Sequence, residues 1–300
     1  MSLLIIGSIA LDTIYNRYGK AEDALGGSAV YASLAASYFH KNVSIVGVVG
    51  TDFPKEHTEL LNSKGVDTNG LEIVNGKTFR WSGKYENMNE AITLKTSLNV
   101  FSEFFPKLPD NYCSYEYLFL GNIDPDLQIA VLNQVKGPKI ISADTMNYWI
   151  EGKNKSLRKL LKMIDILFIN EEEIRMLTNE SHIFEAAKKV FQMGPGLVVI
   201  KQGEYGSVAI TNDNLFFAPI FPIKKVIDPT GAGDSFAGGF MGYVASMNSF
   251  NNEILKKATI YGTITSSYDV EDFSVNSLKI ITKKKINERY NLLKKYTQFD

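Results

Sequence analysis

Three hundred residues suit one large α/β domain or two small ones, and either buries a substantial core. A formal net charge of −1, from 32 basic and 33 acidic residues, gives no reason to expect nucleic acid or an anionic membrane surface as partner. The single cysteine, Cys113, excludes an intrachain disulfide and a cysteine-based zinc site.

Residues 3–9 are a compact apolar run that reads as a buried strand, too short to span a membrane and without the basic flank of a signal peptide. No later stretch is long and apolar enough to cross a bilayer, so the expected location is cytoplasmic. Asp12 follows the first strand, then a short segment over 13–18. Gly26-Gly27 precede residues 28–39, rich in alanine with apolar positions at helical spacing. Residues 43–49 are β-branched and apolar, and 55–64 read as the next helix, with Asp52 as its N-cap. Between 77 and 101 the pattern turns alternating and aromatic: Thr78-Phe79-Arg80-Trp81-Ser82-Gly83-Lys84-Tyr85, then Ile92-Thr93-Leu94-Lys95-Thr96. Such alternation favours half-exposed antiparallel strands. We read 12–18 with 77–101 as a small β-sheet lid inserted into an α/β body, an ordinary edge hairpin being the plainer alternative.

Further strands are expected at 117–120, 139–143, 166–169 and 197–201, with helices at 126–135, 153–163, 171–177 and 184–193. Short apolar strands separated by amphipathic helices imply a doubly wound, mostly parallel sheet flanked by helices, one α/β domain over 1–300. Beyond Ser274 the chain is lysine-rich, and Ile286, Tyr290 and Leu293 are spaced for one face of a solvated terminal helix.

The most informative stretch runs from Asp228-Pro229-Thr230 through Gly231-Ala232-Gly233-Asp234 to Ser235-Phe236-Ala237-Gly238-Gly239. Gly231-Ala232-Gly233 offers successive backbone N–H groups where an apolar, helix-like run begins, which suits a phosphate or the charge developing on a phosphoryl group. A carboxylate there, Asp234, is a poor phosphate ligand but a sensible acceptor for the proton of an attacking hydroxyl. Gly238 and Gly239 each cost about 1 kcal/mol in a helix relative to alanine, which close approach of another backbone or of a nucleotide would explain.

These residues resemble the ribokinase-like, PfkB-type carbohydrate kinases, whose signature Asp-x-x-Gly-Ala-Gly-Asp stands intact from Asp228 to Asp234. The resemblance implies an ATP-dependent transfer of a phosphoryl group to a sugar-like hydroxyl, with Asp234 as base and the Gly231, Ala232 and Gly233 amides as anion hole. Asn170 and Glu173 match the family's Asn-x-x-Glu motif, which organises Mg2+ and its waters; first-turn acids also simply favour a helix dipole. Lys201, Gly203 and Gly206 resemble the turn bordering the nucleotide, Thr230 borders it too, and Gly262 lies in a segment like the helix lining the adenine pocket. Asp228, Thr230 and Ser274 are where the resemblance would set a monovalent cation such as K+.

On the acceptor side, Asp12 resembles the aspartate that holds substrate hydroxyls, and Gly26 and Gly27 the pair beside the substrate. Tyr31 stands where the family often has asparagine; it suits stacking on a planar group or the protein's own core. Arg80 and Asn89 are lid candidates for the acceptor, Arg80 with Lys84 for a phosphorylated sugar unless both face solvent. The lid is also a candidate contact for a homodimer. A nucleoside kinase of the same family and a non-catalytic sensor are the alternatives. A dinucleotide-dependent oxidoreductase and a P-loop kinase are disfavoured because neither glycine motif occurs, and His40, His57 and His182 lack metal-ligand spacing.

Overall fold

The computed structural model describes residues 1–87 and 91–298. Four consecutive apolar residues make β1 (Leu3–Ile6) a strand buried on both faces, with Leu3 and Ile5 in one core and Leu4 and Ile6 in the other. The chain then forms an antiparallel hairpin, β2 (Ala10–Asn16) and β3 (Gly19–Gly26). It returns through α1 (Ser28–Ser37), β4 (Val43–Gly50), α2 (Lys55–Ser63) and β5 (Val66–Val74). β6 (Phe79–Tyr85) and β7 (Ala91–Ser97) rejoin the hairpin.

Strand and helix then alternate: β8 (Tyr117–Leu120), α3 (Pro125–Leu132), β9 (Ile140–Asp144), α4 (Asn147–Gly152) and α5 (Asn154–Leu161). Next come β10 (Ile166–Asn170), α6 (Glu171–Thr178), α7 (Ile183–Phe191) and β11 (Leu197–Lys201). The hairpin β12 (Ser207–Thr211) and β13 (Leu215–Ala218) precedes α8 (Ala232–Met247), α9 (Asn252–Asp269) and α10 (Lys283–Thr297).

Among the described residues the strands form two sheets. A nine-stranded sheet runs β13-β12-β11-β10-β9-β8-β1-β4-β5, parallel from β11 to β5 and antiparallel at the β12–β13 edge. A four-stranded sheet runs β3-β2-β6-β7, with β2 and β6 parallel and both outer pairs antiparallel. Helices α1, α8 and α9 cover one face of the large sheet, and α3, α5, α6 and α7 the other. The expected α/β class and mostly parallel sheet are what the fold contains. Among the described residues no helix is long and apolar enough to cross a membrane.

The glycines of α8 set its distance from α1. A Cβ at Gly238 would lie 2.1 Å from the Ala32 carbonyl oxygen, and one at Gly242 would lie 2.7 Å from Ala36 Cα. Two backbones in contact account for Gly238, while Gly239 makes room on the other side for the Thr265 hydroxyl of α9, which a Cβ would meet at 2.2 Å.

Two expectations are corrected. Asp52 does not cap α2, whose N-cap is Pro54; its carboxylate accepts bonds from the Thr78 N–H and hydroxyl, each at 2.7 Å, tying the large sheet's loop to β6. The terminal helix is docked: Ile286 and Leu293 are buried, and the Tyr290 ring stacks on Tyr261 with centroids 4.9 Å apart. Strands β3, β5, β12 and β13 had no expectation: β3 and β5 mix apolar with polar residues, and β13, though apolar, is only four residues long and leaves most of them accessible.

Candidate active site

Adjacent parallel strands end in polar residues at one edge of the large sheet: Asp144 on β9, Asn170 on β10 and Lys201 on β11. Carboxyl ends of such strands are where open α/β sheets bind ligands. The Lys201 ammonium pairs with the buried Asp144 carboxylate at 2.7 Å. Asp144 escaped the sequence reading, because its partner lies 57 positions away. Its only signal was an acidic residue closing an apolar strand.

Opposite these ends, Gly231 adopts φ 82° as the N-cap of α8, a left-handed backbone that glycine tolerates without strain. A Cβ at Gly231 would meet the Tyr31 ring at 2.4 Å, and one at Gly233 would stand 2.9 Å from Lys201 Nζ. The first-turn amides of α8, the Lys201 ammonium and the Asp234 carboxylate therefore converge. Burial pushes Asp234 up to about 7; the neighbouring Asp144 charge adds to this and Lys201 opposes it.

On the other side of the turn lies Asp12, nearly inaccessible on β2. Burial, with the charges of Asp228 and Asp234, pushes it up to about 8, against the backbone N–H groups of Trp81 and Gly27. Gly26 makes room for this carboxylate, since a Cβ there would lie 2.0 Å from Asp12 Oδ2. Gly27, at φ 96°, passes against the Ser8 carbonyl, which a Cβ would meet at 2.4 Å.

Tyr31 does not offer a stacking face. Its ring is buried beneath Gly231 and its hydroxyl has no hydrogen-bond partner among the described residues, because α1 is buried around its circumference. Arg80 is engaged by Asp23 at 3.0 Å and Asp52 at 2.8 Å, bracing β6 against β3 and the loop after β4. Asn89 lies outside the described residues.

Asn170 and Glu173 form a capping box on α6: the Glu173 N–H donates to Asn170 Oδ1 at 2.8 Å, and the Asn170 N–H donates to Glu173 Oε2 at 2.9 Å. Burial pushes Glu173 up to about 7, with Lys201 opposing. Among the described residues no three acidic, histidine or cysteine side chains gather around a metal ion. Both side chains offer oxygen donors, the ligand type that a hard cation such as Mg2+ takes.

Asp228, Thr230 and Ser274 come together through bonds of their own. The Asp228 carboxylate accepts from the N–H groups of Thr230 and Ser274, both at 3.0 Å, and the Ser274 hydroxyl donates to the Leu25 carbonyl at 2.5 Å. Asp269, at the end of α9, is buried with neither carboxylate oxygen hydrogen-bonded among the described residues. Burial and the Asp228 charge hold it well above the usual carboxylate range.

A cleft of about 690 Å³ opens beside Gly233 and Lys201. Gly203, Gly206, Phe221 and, from α9, Thr263 and Ser267 line it, while Arg17 and Tyr18 overhang it from the β2–β3 turn. Gly262 faces away, since a Cβ there would lie 2.8 Å from the Phe236 carbonyl oxygen.

The sequence profile of the pfkB family carbohydrate kinases matches residues 2–279. The chain belongs to this family. A cytidine kinase of Thermococcus kodakarensis is 31% identical over 246 residues, covering 80% of this chain and 87% of the relative. A nucleoside kinase of Methanocaldococcus jannaschii is 24% identical over 283 residues, 89% of either chain. The solved structure of a nucleoside kinase from that organism, a member of the ribokinase family, aligns with TM-score 0.78 at 22% identity, over 98% of this chain and 99% of that one. As a pfkB family member, the chain is a sugar or nucleoside kinase, a phosphotransferase.

Proposed function

We propose that the chain transfers the γ-phosphoryl group of ATP to a hydroxyl of an uncharged nucleoside, with Asp234 as general base. The observation that carries this reading is the division of charge around the Gly231–Gly233 turn. Asp12, Asp228 and Asp269 gather on the acceptor side, and the lid cation Arg80 is already paired with Asp23 and Asp52. A second phosphate on the acceptor would meet like charge there, whereas the hydroxyls of a ribose would find carboxylate acceptors. The cleft on the other side of the turn, with Lys201, Lys224, Lys225 and Arg17 on its walls, suits a polyphosphate. The names of the two relatives above, cytidine kinase and nucleoside kinase, favour a nucleoside among the uncharged acceptors.

With its pKa near 7, Asp234 suits a general base: a large share is ionised at neutral pH, yet it is basic enough to take a hydroxyl proton as the oxygen attacks. The α8 amides and Lys201 stabilise the charge spreading over the phosphoryl oxygens. Asn170 and Glu173 would hold the waters of a Mg2+ ion, which when bound supplies further neutralisation of that charge. The small sheet shields the acceptor from water that would otherwise compete for the phosphoryl group. On the same reading a second copy docks on β7, an exposed edge strand presenting Ile92 and Leu94. Sedimentation tests that contact: a dimer made monomeric by Leu94→Lys supports it, and a monomeric parent removes it.

The catalytic assignment is tested by Asp234→Asn, which should lower turnover by roughly 10²–10⁴ while nucleotide binding persists. Parent-like turnover in that variant would sink it.

A further inference from the structure

The segment leading into the glycine turn has no regular structure of its own. From Pro219 to Pro229 it is neither helix nor strand, so tertiary contacts alone fix where Gly231 and Asp234 begin. Two anchors come from the body: the Ile227 N–H donates to the Val270 carbonyl at 2.7 Å, and the Asp228 carboxylate accepts the Ser274 N–H at 3.0 Å. Two more come from the small sheet. Asn16 Nδ2 donates to the Ile227 carbonyl at 2.8 Å, and the Tyr85 hydroxyl lies 3.0 Å from Thr230 Oγ1.

These two contacts share an origin. β2 and β6 are parallel neighbours with Tyr15 opposite Lys84, so Asn16 and Tyr85 are the next residues at the same end of both strands. They grip the chain on either side of Asp228, whose carboxylate accepts the Thr230 N–H at 3.0 Å. Tyr85 is buried at the end of β6, between the mostly buried β2 and the exposed edge strand β7. A buried hydroxyl placed against a hydroxyl of the glycine turn is costly to leave unpaired, so the pair constrains both elements.

We propose that Asn16 and Tyr85 are positioning residues, through which the seated small sheet sets the geometry of the Gly231–Gly233 turn for phosphoryl transfer. The inference rests on the reading above that this turn and Asp234 carry the reaction. It makes the small sheet part of the anion-binding machinery as well as a cover: ordering of the sheet over an acceptor and alignment of the turn become one event.

The test is steady-state kinetics on Tyr85→Phe, Asn16→Ala, Thr230→Val and the double variant Tyr85→Phe/Thr230→Val, with Thr230→Ser as the conservative control. Tyr85→Phe and Thr230→Val should each lower kcat about 10-fold, the scale of one hydrogen bond. In Tyr85→Phe, KM for ATP should stay within about 2-fold, since Tyr85 belongs to the small sheet and to none of the nucleotide-bordering residues. The double variant should be no worse than either single one, and Thr230→Ser should keep parent kcat. Full kcat in Tyr85→Phe would overturn the proposal. So would multiplying losses in the double variant, or a rise confined to the acceptor's KM, which would make Tyr85 a binding residue only. Asp234→Asn is assayed alongside: parent turnover there brings down the underlying reading, whereas its loss together with normal Tyr85→Phe turnover brings down this inference alone.

Discussion

The two sides of the Gly231–Gly233 turn differ in charge and in how that charge is held. On the acceptor side Asp12, Asp228 and Asp269 are buried carboxylates whose shifts all run upward, against backbone N–H groups at Asp12 and Asp228 and the hydroxyls of Thr230 beside Asp228 and Ser235 beside Asp269. On the nucleotide side Lys201 is compensated by Asp144 at 2.7 Å and stays cationic, its pKa raised by the Asp144 and Glu173 charges against the burial that would lower it. On the proposed reading, a compensated cation stands where a charged ligand is held and a cluster of buried carboxyl groups where an uncharged acceptor is oriented. Asp234 stands between them and feels both Asp144 and Lys201.

Removing the one cation nearest the turn should break the asymmetry most. Lys201→Met is expected to weaken ATP binding by roughly 10–10²-fold, the range of a charge-assisted contact to phosphate. It should also shift the acid limb of activity upward, because Lys201 is what holds Asp234 down. An unmoved pH profile in that variant would separate Lys201 from Asp234 electrostatically.

The acceptor side is sharpened by pH. Asp234 must be ionised to accept a proton, so kcat/KM for the acceptor should fall as pH drops through about 7, with Asp12, near 8, extending the limb upward. Asp12→Asn should raise the acceptor's KM about 10-fold or more and leave a limb governed by Asp234 alone. A limb near the ordinary carboxylate value of about 4 would contradict the burial argument.

The smallest effect concerns the support rather than the site. Gly238→Ala forces α8 off the Ala32 backbone and should cost about 1–3 kcal/mol of stability in a thermal melt. Folded protein should keep most of its turnover if the contact is only a packing one.

Several of these features could be read from the chain and others could not, for physical reasons. Strands buried on both faces, such as β8 and β11, announce themselves as apolar runs with sharp ends. The glycine turn announces itself because few structures need Gly-Ala-Gly-Asp at a helix start. Strand β3 was silent because its residues are mostly exposed and its pairing is dictated by β2. Tyr31 was ambiguous because a tyrosine beside a glycine pair suits a pocket or a core equally, and only the packing of α8 on α1 decides for the core. Asp144, Asn16 and Tyr85 gained meaning only from partners 57, 211 and 145 positions away. Local patterns carry no trace of such pairs.

The central claim, an uncharged acceptor on the acidic side of the turn, is tested most directly by offering one nucleoside and its 5′-monophosphate side by side with Mg2+ and ATP. Product is read by mass spectrometry. The account predicts phosphorylation of the nucleoside and at least about 10²-fold lower kcat/KM for the monophosphate, the penalty for bringing a second anion to that side. Preferential phosphorylation of the monophosphate, or of sugar phosphates, would contradict it.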